Sequence, residues 1–396
     1  MRFSKVARRI NIAIFLQYKF LCCAVRGGSI FIVQKCIKKL SFFDGIWYNT
    51  NKSKIEIQKE SERVRCEPVT LAFPELETRV KLLGRAAFTE QGIACDWSAS
   101  GIAFTVFCGG TISVDMDASS NRNTFFRLYI DGTEAAERFS LMEKKTYILA
   151  EALPEGEHSV MLIRDTAVHF RTCFIRGITL NCDPSTLRPM PDAGLLIDFI
   201  GTSITCGSGT LDLDLEARYN NESATRAFSF LTAQALNADW IFSSKGTMGV
   251  AREVVEKDVA FNLRTLYDSA YGYRDPEPRY VWRRHPDLTV MDIGPNDRVT
   301  EEEFIDAVLE FIGHIRELHP RCAILILHGF GTADKYKAAY PEIVARLGGE
   351  AGRIWECFTP VGKGAYDGIH PTVEQHRINA DVVIRFFREN ILSKIG

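Results

Sequence analysis

Between about Arg79 and Cys182 the chain alternates apolar and polar residues in short runs: 102–107, 111–116, 125–130, 158–164 and 173–180. These runs are rich in Val, Ile, Phe and Thr. With Asp131-Gly132 and Pro154-Glu155-Gly156 as turn signals, they predict an antiparallel all-β sandwich. Such a module could bind carbohydrate or brace its neighbour. The period changes after residues 183–192, a proline-bearing connector. Residues 195–200 form a nearly continuous apolar run, the pattern of a parallel strand buried on both faces. An amphipathic stretch over 225–236 follows, then strands over 238–244 and 287–294. Thr300 and Glu303 have capping-box spacing and open a helix to about Leu318. A strand over 323–327, a helix over 335–347, a strand over 353–358 and a last helix over 372–391 complete the alternation. The order predicts an α/β domain with a parallel sheet and helices on both faces. The predicted organisation is an N-terminal extension over 1–60, the β domain over 61–185 and the α/β domain over 192–396.

Composition changes this picture little. The 396 residues are 46% hydrophobic and 25% charged, with a net charge of −2. That balance is ordinary for a globular protein and points to neither nucleic acid nor an anionic membrane. The 11 cysteines include no Cys-x-x-Cys pair, which argues against a disulfide framework or a zinc site. They read as reduced, buried thiols of a cytoplasmic protein. The extension is different: basic residues dominate it, and no acid precedes Asp44. Residues 10–25 have the length of a signal-peptide core, but Gln17, Tyr18 and Lys19 interrupt them and Cys22-Cys23-Ala24-Val25-Arg26 is a poor cleavage site. The run is also too short and polar to span a membrane. The extension reads as a loosely attached segment; a degenerate leader, and hence secretion, is the alternative.

Candidate chemistry lies where strands of the α/β domain end. Gly201 closes the first apolar run, and Ser203 follows at the rim, where a tight turn holds a hydroxyl among backbone N–H groups. A serine needs a base to become a nucleophile. Of the eight histidines, His370 stands apart in the loop Asp367-Gly368-Ile369-His370-Pro371, just before the last helix. Asp367 can accept a hydrogen bond from the imidazole Nδ1–H, fixing its tautomer. Pro371 suits the first helical position. The backbone N–H groups of Ser203 and Gly246 and the side-chain amide of Asn296 are candidate donors to a tetrahedral oxyanion. Trp282 and Trp355, near predicted strand ends, are candidate platforms for a sugar ring.

Gly201-x-Ser203, Gly246, Gly294-x-Asn296-Asp297 and Asp367-x-x-His370 resemble, in order and spacing, the four blocks of the SGNH or GDSL hydrolases. With the preceding β domain, the chain is similar more narrowly to carbohydrate esterase family two. The resemblance implies a flavodoxin-like parallel sheet preceded by a jelly-roll sandwich. It implies a serine esterase removing acetyl groups from acetylated oligo- or polysaccharides such as xylan or glucomannan, through a Ser203–His370–Asp367 triad and without a metal or organic cofactor. A small-acyl esterase acting on non-sugar esters and a carbohydrate-binding protein that has lost catalysis are the alternatives, and oligomeric state is open. The chain departs from the family pattern in having Thr202 where an aspartate usually precedes the nucleophile; its hydroxyl is expected to keep part of the local hydrogen bonding.

Overall fold

The computed structural model describes residues 67–395, except 119–123, 135–136, 142–144, 167–171, 213–219, 253, 255–259, 273–277, 330–334, 361–363 and 365–366, together with strand backbone between residues 12 and 30. Residues 1–65 and 66–396 form separate compact units. In the first, β1 (Ile12–Leu16) pairs with β2 (Lys19–Cys23) and β3 (Val25–Arg26) with β4 (Ser29–Ile30), both antiparallel. The rest of the N-terminal extension lies outside the described residues.

The second unit opens with an antiparallel network of β5 (Val69–Ala72), β6 (Lys81–Leu83), β7 (Ala87–Thr89), β8 (Gly92–Cys95), β9 (Gly101–Ala118), β10 (Thr124–Ile130), β11 (Thr133–Glu134), β12 (Phe139–Leu141), β13 (Lys145–Arg164), β14 (Cys173–Leu180) and β15 (Arg188–Pro189). Period-two alternation turns Ile102, Phe104, Val106, Leu128, Val160, Leu162 and Ile178 into one core. Asp131-Gly132 makes the expected hairpin turn between β10 and β11, both residues at positive φ. The other turn signal is corrected. Pro154-Glu155-Gly156 lies inside β13, and the runs 102–107 and 111–116 belong to the single strand β9. The two long strands pair with register shifts between Ile148 and Gly156. Bulges and Gly110, at φ +113°, therefore absorb what would otherwise be turns.

The α/β part holds β16 (Leu195–Gly201), β17 (Ala238–Ser244), β18 (Leu288–Asp292), β19 (Ala323–His328) and β20 (Ile354–Phe358). They are all parallel, in the order β17-β16-β18-β19-β20. This is the 2-1-3-4-5 order of flavodoxin-like sheets, as expected. The helices are α1 (Ser203–Cys206), α2 (Phe228–Ala235), α3 (Leu263–Tyr267), α4 (Glu301–Leu318), α5 (Ala339–Arg346), α6 (Val373–Phe386) and α7 (Leu392–Ile395). On one face Ile197 and Phe199 pack with Phe228, Ala233, Ala380 and Val383. On the other, Ile200 packs with Leu263, Val308, Phe311 and Ile343. The Thr300/Glu303 capping box is present and starts α4. The last helix departs from α geometry over Phe387–Ile391, in a π turn.

The two layers share a core. Leu83, Ala99, Tyr129 and Ile163 of the β layer join the cluster of Ile197, Phe230 and Trp240. Arg85 is the deepest link. Fully buried, it donates to Ser243 Oγ at 2.8 Å and to the carbonyls of Tyr267 and Ser269 at 2.7 Å. Its guanidinium also lies over the rings of Tyr280 and Trp97, 4.2 and 4.6 Å from their centroids. Ser243 passes the bond to the buried Asp198 carboxylate at 2.8 Å. Burial pushes that carboxyl up to about 6, against the pull of Arg85. Breaking a buried charged network leaves the remaining groups desolvated and unpaired, so Arg85→Ala should destabilise the protein by about 3–5 kcal/mol in urea denaturation. An unchanged midpoint would show that the layers hold together without it.

Candidate active site

The site begins with a steric condition at the end of β16. A Cβ on Gly201 would fall 2.0 Å from Thr205 Oγ1 and 3.0 Å from the Asp292 carbonyl. Only glycine lets α1 fold back this closely on the strand ends. Thr202 follows in extended geometry, buried, as the N-cap of α1, and its side chain makes no capping bond. The hydrogen bonding expected of Thr202 in that role is therefore not made. Instead Thr205, the third residue of α1, donates its hydroxyl to Asp292 Oδ2 at 2.9 Å. Ser203 is the first residue of α1 and half-buried at the carboxyl end of the sheet. The short helix closes at Gly207, at φ +80°.

Parallel register brings the next two blocks alongside. Gly201 pairs with Ser244 on β17 and with Asp292 on β18, and the Lys245 N–H donates to the Gly201 carbonyl at 3.1 Å. Gly246 therefore follows β17 beside the turn that Ser203 opens. Asn296 donates one amide N–H to the Met248 carbonyl at 3.1 Å, tying its loop to the one that holds Gly246. A primary amide carries two N–H donors, so the second is available to an oxyanion. Asp297, buried, accepts from the N–H groups of Val250 and Ala251 at 3.1 and 2.8 Å, which fixes the same loop from below.

The histidine loop arrives from the far end of the sheet. His370 Nδ1 lies 2.5 Å from Asp367 Oδ2, while Asp367 Oδ1 accepts from the N–H groups of Ile369 and His370, each at 3.0 Å. Burial raises the Asp367 carboxyl, but these bonds outweigh it and hold it below the usual carboxylate range. A Cβ on Gly209 would lie 2.7 Å from His370 Cβ, so the imidazole packs directly on the segment that follows α1. Pro371 stands one place before the Thr372 N-cap of α6, rather than at the first helical position as expected.

His376 reinforces the turn from below. Phe228 N–H donates to its Nδ1 at 3.1 Å, so the proton sits on Nε2, which faces Thr210 Oγ1 at 3.0 Å. Thr210 in turn donates to the Gly207 carbonyl at 2.8 Å. Burial pushes this imidazole down to about 3, so it stays neutral and the chain of bonds keeps one direction. Other described histidines have other partners: His158 meets Asp131, His314 meets Asp268, His328 meets Glu356, and His285 meets His319.

The two tryptophans are corrected. Trp282 packs 4.3 Å from His319, which caps α4 and precedes β19, and so lies at the amino end of the sheet. Trp355 is in mid-strand on β20, 8% exposed, in the core. An aromatic beside a strand is most often core because its area is worth most when buried; Trp355 obeys that rule, and Trp282 packs half-buried against the core. Asp292 is the site residue that the sequence reading missed. Its signal was a carboxylate at the end of a wholly buried strand.

A model of the carbohydrate esterase 2 N-terminal family matches residues 82–191. Over 326 residues the chain is 24% identical to an acetylxylan esterase / glucomannan deacetylase of Cellvibrio japonicus, covering 76% of this chain and 87% of that one. A solved family two carbohydrate esterase from the same organism has a TM-score of 0.72 at 21% identity, covering 82% of this chain and 98% of that chain. A family two carbohydrate esterase of Clostridium thermocellum, solved with cellohexaose, has a TM-score of 0.67 at 21% identity, covering 78% of this chain and 98% of that chain. The resemblance to carbohydrate esterase family two is thereby borne out, and the names of these relatives agree with a carboxylic ester hydrolase.

Burial pushes the Asp292 carboxyl up to about 7, with the Thr205 bond opposing. Between the ordinary value of 3.8 and about 7 the folded protein keeps a proton that the unfolded chain has released. Stability from this group therefore falls as pH rises through that window. Relative to the parent, the thermal midpoint of Asp292→Asn should rise between about pH 4 and about pH 8. A constant difference across that range would contradict a protonated Asp292.

Proposed function

We propose that this chain is a serine esterase of the carbohydrate esterase family two kind, which removes O-acetyl groups from plant cell-wall saccharides of the acetyl-xylan or glucomannan type. The observation that carries the reading is the 2.5 Å contact between His370 Nδ1 and Asp367, in a loop packed on Gly209 beyond the Ser203 helix. With Nδ1–H given to Asp367, Nε2 keeps its lone pair and can take a proton.

In this mechanism Ser203 Oγ attacks the acetyl carbonyl carbon while its proton passes to His370 Nε2. The backbone N–H groups of Ser203 and Gly246 and the Asn296 amide hold the oxyanion; removing one such donor costs about 10²–10³-fold in rate. The tetrahedral intermediate collapses, the bond from the carbonyl carbon to the sugar oxygen breaks, and that oxygen takes the proton from His370. Water then gives a proton to His370 as its oxygen attacks the carbonyl carbon of the acetyl-serine; the bond from that carbon to Ser203 Oγ breaks, Oγ takes the proton back from His370, and acetate leaves. Asp367 remains ionised throughout and stabilises the imidazolium. A carbohydrate substrate is supported by the relative named as an acetylxylan esterase / glucomannan deacetylase and by the one solved with cellohexaose. We also infer that the antiparallel layer is a jelly roll; the long, bulged strands β9 and β13 are suited to that wrapping. The burial of the described cysteines supports a reducing, cytoplasmic location.

The uncapped Thr202 favours one other reading, a saccharide-binding protein with weakened catalysis. Acetyl loss from an acetylated xylo- or glucomanno-oligosaccharide, followed by NMR, separates the two. The parent should release acetate, and Ser203→Ala should lower kcat by at least about 10³-fold with binding retained. Saccharide binding with no acetate release by the parent would favour the binding protein. Faster cleavage of longer acyl esters than of acetates would overturn the choice of substrate.

A further inference from the structure

We infer that Asp165, although it belongs to the β layer, is a positioning residue of the esterase site; this rests on the reading of Ser203 as nucleophile. Asp165 directly follows β13 and is wholly buried. Such a carboxylate needs a reason to be there, since an unpaired one would be costly in the interior. Its partners supply the reason. Oδ1 accepts from Thr225 Oγ1 at 2.7 Å, from the Thr225 N–H at 2.9 Å and from Ser223 Oγ at 3.0 Å. Oδ2 accepts from Arg127 Nε at 3.0 Å, and Arg138 approaches it to 3.5 Å. The Asp165 carbonyl accepts from the Ala224 N–H at 2.8 Å. Three consecutive residues of the α/β part are thus held by one residue of the β layer. Arg138 adds a further tie, donating to the Glu222 carbonyl at 2.5 Å.

What the held segment touches gives the inference its direction. The Ser223 N–H donates to the Gly207 carbonyl at 2.8 Å, and a Cβ on Gly207 would meet the Ser223 carbonyl at 2.2 Å. Gly207 closes the helix that Ser203 opens, and Gly209, two residues later, carries the His370 ring. From the Asp165 carboxylate to the nucleophile turn, the path therefore runs through one short segment with two points of close backbone contact. The layer that precedes the hydrolase sheet sets the height and tilt of the turn that Ser203 opens and that His370 packs on at Gly209.

Removing the charge at Asp165 should let the turn relax, and a misplacement of about 1 Å at a reacting group costs about 10²-fold. With an acetylated xylo-oligosaccharide, Asp165→Asn should lower kcat by about 10²-fold and change KM by less than about threefold. The rate of Ser203 labelling by a fluorophosphonate should fall in parallel. Because Asp165→Asn could also loosen the fold, two further variants accompany it. Thr225→Val removes one donor and should lower kcat by about fivefold, while Thr225→Ser restores it. Val106→Ala, a cavity in the β-layer core away from this path, should lower the thermal midpoint and leave kcat within twofold. If Asp165→Asn and Thr225→Val keep the parent's kcat, or if Val106→Ala lowers it as much as they do, the inference is overturned. If the parent itself neither turns over nor labels at Ser203, the esterase reading fails and the inference falls with it.

Discussion

The close approach at Gly201 is the constraint on which the site depends. A parallel strand buried on both faces can deliver a side chain to solvent only by turning sharply at its end. Here the turn is so tight that Thr205 Oγ1 occupies the space where any Cβ on Gly201 would lie. The same hydroxyl is tied to Asp292 on the neighbouring strand. The end of β16, α1 and the end of β18 are thereby tied into one corner, which Ser203 opens. His370 meets that corner at Gly209, a second place where a side chain could not be accommodated.

Much of this could be read from local pattern. Alternation in 125–130 and 173–180 marked antiparallel strands, and the apolar run at 195–200 marked a doubly covered one, because one-face and two-face burial leave different periods in the sequence. Asp367 and His370 were legible because the bond between them spans only three residues. What escaped depends on distance along the chain. Thr205 finds Asp292, and Ser223 finds Asp165, only after the fold is complete, and nothing local marks either pair. The merging of two runs into β9 is set by the partner strand β13, whose bulges accommodate glycines that locally read as a turn. Trp282 and Trp355 were placed by proximity to strand ends, which says nothing about which end or which face.

The departure at Thr202 takes a different meaning from its surroundings. Thr202 is buried and makes no capping bond, yet α1 is held from both ends: by Thr205 to Asp292 at its base, and by Ser223 and Thr210 to the Gly207 carbonyl at its close. Support for the Ser203 turn thus comes from β18 and from the Ser223 segment, the latter fastened to the β layer. An aspartate at position 202 is therefore one means among several of holding such a turn.

The central claim is that Ser203 carries the acetyl group between sugar and water. Rapid acid quenching during turnover of an acetylated xylo-oligosaccharide, followed by peptide mass analysis, tests it most directly. The account predicts one added acetyl group on the peptide containing Ser203, absent when the substrate is omitted. Sustained acetate release with an unmodified Ser203 peptide, or with the acetyl group on another residue, would contradict it.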